Sequence, residues 1–143
     1  MKTLIALAGS TNAGKTTTIR FLTEILSKYP GCKAVNIFHH KREQCYLITI
    51  NRKTIALLTA GDPSFVRELR RLLSGFAAKR VNIIVCACRV RGKTLDAVAA
   101  MEKKGYDIEW KFCPKLKVKN TDAFNKWRAE KLEIEIMRLV GSP

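Results

Sequence analysis

Gly9-Ser10-Thr11-Asn12-Ala13-Gly14-Lys15-Thr16 fits the spacing G-x-x-x-x-G-K-[ST]. Glycines at 9 and 14 let the backbone turn tightly and approach a ligand with no Cβ in the way. Successive backbone N–H groups then converge on an anion. A helix that starts inside the stretch adds its positive amino end and its unpaired amides. In such a loop Lys15 reaches the outer phosphates of a nucleotide, and the Thr16 hydroxyl holds Mg²⁺.

The flanks agree with that reading. Thr3 to Ala8 is an apolar run of strand length. Lys15 to Lys28 carries Ile19, Leu22, Ile25 and Leu26 at helical spacing, and Pro30-Gly31 stops it. Strand, glycine loop and helix together resemble the P-loop NTPase superfamily. The resemblance covers the first thirty residues as a motif and the remainder as architecture. It implies that Gly9, Ser10, Thr11, Asn12, Ala13, Gly14, Lys15, Thr16 and Thr17 bind a nucleoside triphosphate.

Further along, Cys32 to Phe38, Gln44 to Ile50 and Lys53 to Ala60 read as strands. Asn51-Arg52 between the last two suggests an antiparallel hairpin, because Asn tolerates a positive φ. Asp62 and Pro63 suit the N-cap and first position of a helix with Phe65, Val66, Leu69, Leu72, Leu73 and Phe76 on one face. Val81 to Cys88 is nearly continuous apolar sequence, the pattern of a strand buried on both faces. A short helix over 94–104 follows. Tyr106 to Phe112 alternates and reads as an edge strand, with Tyr106, Ile108, Trp110 and Phe112 to one side. A last helix runs from Thr121 or Asp122 to about Val140, with Phe124, Trp127, Leu132, Ile136, Leu139 and Val140 expected to face the sheet. This alternation predicts an α/β three-layer sandwich around a mostly parallel sheet of five or six strands, one domain over 1–143.

In open parallel sheets, ligands bind beyond the carboxyl ends of the strands. That rule gathers the glycine loop, His39 to Arg42, Thr59 to Asp62, and Arg89 to Lys93 at one edge. Asp62 is the first acid after the apolar strand 55–58 and is the candidate second Mg²⁺ residue beside Thr16. It stands later than a P-loop enzyme's metal-directed acid usually does, and its place before Pro63 equally suits a plain N-cap. Arg89 and Arg91, with Lys93, are candidates to neutralise charge on a transferring phosphate, with Lys15 as the principal catalytic cation. A solvated basic loop is the competing reading.

Gly14 to Ile19 is similar to the signal-recognition-particle GTPases. The guanine-reading N-K-x-D and the D-x-x-G switch are both missing, the latter replaced by Thr59-Ala60-Gly61-Asp62. ATP with Mg²⁺ is therefore the expected ligand, and a small phosphotransferase (kinase) or NTP hydrolase the expected activity. The alternative is a nucleotide-dependent binding module that docks on nucleic acid or a larger protein. The net charge of +15 and the basic run Lys115-Leu116-Lys117-Val118-Lys119 favour an acidic or nucleic-acid partner.

Five cysteines show no C-x-x-C pair and no metal-ligand spacing, so buried structural thiols are expected. Met1-Lys2 leads straight into a strand. No apolar run approaches the roughly 20 residues that cross a bilayer. A cytoplasmic protein without a membrane segment is the expectation.

Overall fold

The computed structural model describes residues 2–10, 13–40, 43–59, 62–115 and 121–141, less the side chains of 38–40. The expected phosphate ligands Thr11 and Asn12, the His39 and His40 side chains, and the basic stretch 116–119 lie outside the described residues.

Six strands form one sheet: β1 (Thr3–Ala8), β2 (Lys33–His40), β3 (Glu43–Ile50), β4 (Lys53–Leu58), β5 (Ile83–Cys88) and β6 (Asp107–Phe112). Their order is β2-β3-β4-β5-β1-β6. β4, β5, β1 and β6 pair in parallel, while β3 runs antiparallel to both β2 and β4. The sheet is therefore mixed, and less parallel than expected. The antiparallel part is two successive hairpins, which need no crossover helix. The turn between β3 and β4 places Asn51 at φ 51° and Arg52 at φ 66°, the left-handed pair a two-residue hairpin requires.

Among the described residues four helices flank the sheet: α1 (Lys15–Ser27), α2 (Val66–Ala78), α3 (Lys93–Ala99) and α4 (Thr121–Val140). α1 and α4 cover one face, where Ile19, Leu22, Leu132 and Ile136 meet Ile5, Leu7, Val85 and Leu57. α2 and α3 cover the other, where Leu69, Leu73, Phe76 and Val98 meet Leu4, Ile84, Cys86 and Leu58. Each of these side chains contributes on the order of 1.5–3 kcal/mol by leaving water. β5 is buried at every position, as its unbroken apolar sequence predicts. Cys45, Cys86, Cys88 and Cys113 are buried and no cysteine is bonded to another.

The end of the chain departs from expectation. The buried face of α4 is Asn125, Ala129, Leu132, Ile136 and Val140. Trp127 points outward and is 52% exposed. Asn125 packs its amide directly against Gly14, where a Cβ would overlap it. β6 is an edge strand as predicted, but Trp110 and Phe112 stand in solvent on the side expected to be covered.

Candidate functional site

β1 ends at Ala8, and α1 begins at Lys15. Gly14 is the helix N-cap at φ 79°, a left-handed backbone that glycine adopts without strain. α1 has no side-chain cap and no acid in its first turn, so its amino end keeps its positive field. Thr18 closes the turn from the other side, its hydroxyl donating to the Gly14 carbonyl at 2.7 Å.

Beyond the carboxyl ends of β1, β4 and β5 lies a cavity of about 240 Å³. Gly14, Lys15, Thr16, Glu43, Asp62 and Arg89 are among its walls. Of the residues expected there, Gly14 to Thr17, Ala13, Asp62 and Arg89 line it. Gly9 is buried beneath the loop, and Ser10 is exposed. Arg91 and Lys93 are exposed and are not among the lining residues, so the structure does not bring Arg91 to the cavity. Past the end of β5, only Arg89 turns back toward the site.

Lys15 is buried and donates to the carbonyls of Gly9 and of Cys88, the latter at 2.8 Å. It thereby ties the start of the loop to the end of β5. Burial pushes its ammonium below the ordinary lysine value, and the nearby Arg89 adds to that, against the pull of Asp62 and the neighbouring thiols. A phosphate placed here reverses the effect, because an anion favours the charged lysine. Anion binding at alkaline pH is therefore expected to take up protons.

Asp62 caps the turn Pro63–Phe65, where its Oδ1 accepts from Ser64 N at 2.9 Å. Its other oxygen lies 3.5 Å from the Arg89 guanidinium. The Ser64 hydrogen bonds, with Arg89 behind them, hold its carboxyl below the usual carboxylate range. Asp62 thus performs the capping role and faces the cavity as well. Its pairing with Arg89 restrains both groups.

Sequence reasoning missed one acceptor and a brace. Glu43, the first residue of β3, reaches the cavity, where its carboxylate accepts from the Thr59 hydroxyl at 2.8 Å. Thr59 is buried, accepts from Gln44 N at 2.8 Å, and offers its carbonyl to the Thr16 hydroxyl at 3.4 Å. Behind the loop, Arg128 of α4 donates to the Ala13 carbonyl at 2.9 Å, to Asn125 Oδ1 at 2.8 Å and to the Thr18 hydroxyl at 3.1 Å. Nothing local in sequence marks either group. Glu43 opens a strand, and Arg128 stands 115 positions from its partner Ala13.

Arg128→Ala is expected to destabilise the chain by about 2 kcal/mol, since three acceptors lose a charged donor. Denaturant melts check the stability, and Arg128→Lys, with a single ammonium, should recover only part of the loss.

The carboxylates of Glu43 and Asp62 and the hydroxyls of Thr16, Thr17 and Thr59, all hard oxygen donors, line the cavity. That set suits Mg²⁺, which takes one or two carboxylates and completes its shell with water and phosphate. Among the described residues no three His, Cys, Asp or Glu gather into a cage able to hold an ion unaided. Nor is any described helix long and apolar enough to cross a membrane. No protein-family model matches the chain, no curated protein is similar to it, and no solved structure matches it.

Proposed function

We propose that the chain binds a nucleoside triphosphate, ATP in preference to GTP, with Mg²⁺, and transfers its terminal phosphoryl group to a small acceptor or to water. One observation carries this reading. A glycine loop between a strand and a helix brings Lys15 and Thr16 to a cavity that Arg89 and the carboxylates of Glu43 and Asp62 also line. The N–H groups at the start of α1 would hold the phosphates, and Lys15 would turn from the Gly9 and Cys88 carbonyls to the phosphate oxygens. Thr16 with Asp62 would hold Mg²⁺, which when bound offsets the charge of the phosphates. Arg89 would neutralise charge that develops during transfer.

Glu43 is the better placed base. Asp62 is engaged by Ser64 N and Arg89, whereas the Glu43 carboxylate meets only the Thr59 hydroxyl among the hydrogen bonds described. Glu43→Gln keeps the shape and removes the acceptor. It should lower turnover by about 10²–10⁴-fold while nucleotide affinity changes little. Equal losses in affinity and turnover would instead make Glu43 a binding residue.

A thermal-shift series with ATP, GTP, CTP and UTP, each with Mg²⁺, tests the ligand. A ligand at a hundred times its Kd stabilises by about 2.7 kcal/mol, which moves the melting temperature measurably. No shift with any of the four would remove the proposal.

A second reading keeps the nucleotide but replaces the acceptor with a macromolecule. It is supported by α2, where Arg67, Arg70 and Arg71 are exposed with no carboxylate partner among the described ion pairs. Turnover that rises on adding RNA or DNA would favour it over a small-molecule kinase.

A further inference from the structure

We propose that the groove where β2 and β3 emerge from beneath α2 is the docking site for an acidic amphipathic helix of a partner protein. The groove measures about 430 Å³, and its lining includes Val35 and Ile37 of β2, Leu47 of β3, and Lys33 and Lys79. The strand register places the apolar groups on one face. Val35 pairs with Leu47, and Leu47 with Ala56, which lies in the core beneath α2. Lys33, Val35 and Ile37 stand at alternate positions of β2 and line the same groove.

This part of the sheet lacks its outer layer. The buried stripe of α2 is taken up by β4 and β5, whose Ala56, Leu58, Ile84 and Cys86 share its core. Residues 33–37 of β2 are all exposed, with Val35 at 56% and Ile37 at 40%. An uncovered aliphatic face with a polar rim marks an interaction surface. Two strands about 4.8 Å apart leave a strip roughly 10 Å wide beside α2, which is the diameter of one helix. A helix laid there continues the layer that α2 and α3 begin.

The charge around the strip gives the chemistry of that helix. No acid lines the groove, and Lys33 and Lys79 have no carboxylate partner among the described ion pairs. Arg52 and Arg80 are exposed within two positions of Thr54 and Val81, which also line it. An aliphatic floor with a cationic rim fits an apolar stripe flanked by Asp and Glu. A second copy of a chain carrying +15 would bring like charge to the same rim. Bases of a nucleic acid would find no ring to stack on among the lining residues.

The groove lies far from the nucleotide cavity. β4 starts at Lys53 and α2 ends at Ala78, so Thr54 and Lys79 mark the opposite end of the sheet. Its occupation therefore does not rest on nucleotide binding.

The probe is a labelled peptide of about 15 residues, long enough to hold a helix, with leucines at i, i+3, i+4 and i+7 and glutamates elsewhere. Its anisotropy is read against the whole chain without nucleotide. Binding should saturate, and the affinity should fall with salt. Val35→Asp and Ile37→Asp should each weaken it about 30-fold, as the loss of a central interface contact does, with unchanged far-ultraviolet dichroism. Lys33→Glu combined with Lys79→Glu should weaken the glutamate peptide and raise the affinity for its lysine counterpart, a reversal that misfolding does not produce. Lys15→Ala should bind the peptide like the parent.

Absence of saturable binding at low salt would overturn the proposal. So would equal binding of a scrambled peptide of the same composition, which would leave net charge as the whole attraction, or unchanged binding in both aspartate variants. A dimer in sedimentation that Val35→Asp dissolves would put a second copy in the groove instead. Co-sedimentation with phosphatidylserine vesicles that Val35→Asp abolishes would make it a lipid-facing surface.

Discussion

Alanine at Gly9 is expected to lower the melting temperature by roughly 10 °C. A Cβ there would overlap the carbonyl oxygen of Cys113 and press on the side chains of Ala13 and Cys113. The carbonyl is backbone and cannot swing aside. It belongs to the segment that continues β6, where Cys113 N donates to the Ala8 carbonyl at 2.8 Å. Making room means prising the end of β6 from β1. Overpacking of this kind costs about 1–3 kcal/mol, and a rigid obstacle puts Gly9 at the upper end. For a chain of this size each kcal/mol moves the melting temperature by about 3–4 °C. Calorimetry checks it, and a change below a degree or two would mean that the loop and β6 do not touch.

Removal of the Lys15 ammonium should act on binding far more than on stability. In Lys15→Ala the Gly9 carbonyl loses a donor, while Cys88 O still accepts from Gly9 N at 3.1 Å. Against that loss, the variant no longer buries a charge that the fold disfavours. The two effects oppose each other and the melting temperature should shift little. The sign with pH is definite. The folded-state pKa of Lys15 is depressed, so the folded chain holds that proton less tightly than the unfolded chain. This destabilising contribution is fully present below the folded pKa. It fades as pH rises toward the unfolded value, and the variant should lack this trend. Nucleotide affinity should fall by about 2–5 kcal/mol, roughly 30- to 5,000-fold, because the phosphates lose a buried cationic partner. Calorimetric titration gives both affinities directly.

How much of this could be read from the chain alone depended on whether the signal was local. Gly9 to Thr16 and the helical spacing of Ile19, Leu22 and Leu26 are local, and they placed β1 and α1 correctly. The hairpin turn at Asn51-Arg52 was legible because two residues determine it. The pairing of β2 with β3, and the insertion of β5 between β4 and β1, were not. Strand order is set by which faces bury together across long stretches of chain, and no short motif records it. Glu43 reaches the cavity only because β3 pairs beside β4, so it could not be seen before that pairing was known. Trp127 was misplaced for another reason. Asn125, a polar residue, occupies the buried stripe of α4, and a reading that follows apolar residues passes over it. In β6 the alternation was right. The outer layer of helices simply stops short of the edge, which leaves Trp110 and Phe112 uncovered.

The proposed function stands on the amides around Gly14 gripping the phosphates of a nucleotide. Amide chemical shifts recorded while Mg·ATP is added test it most directly. Saturable shifts are expected at Gly14, Lys15, Thr16 and Thr17, with smaller ones at Arg89 and Glu43, and none of these in Lys15→Ala at the same concentrations. Shifts confined to other parts of the chain, or equally large in the variant, would contradict it.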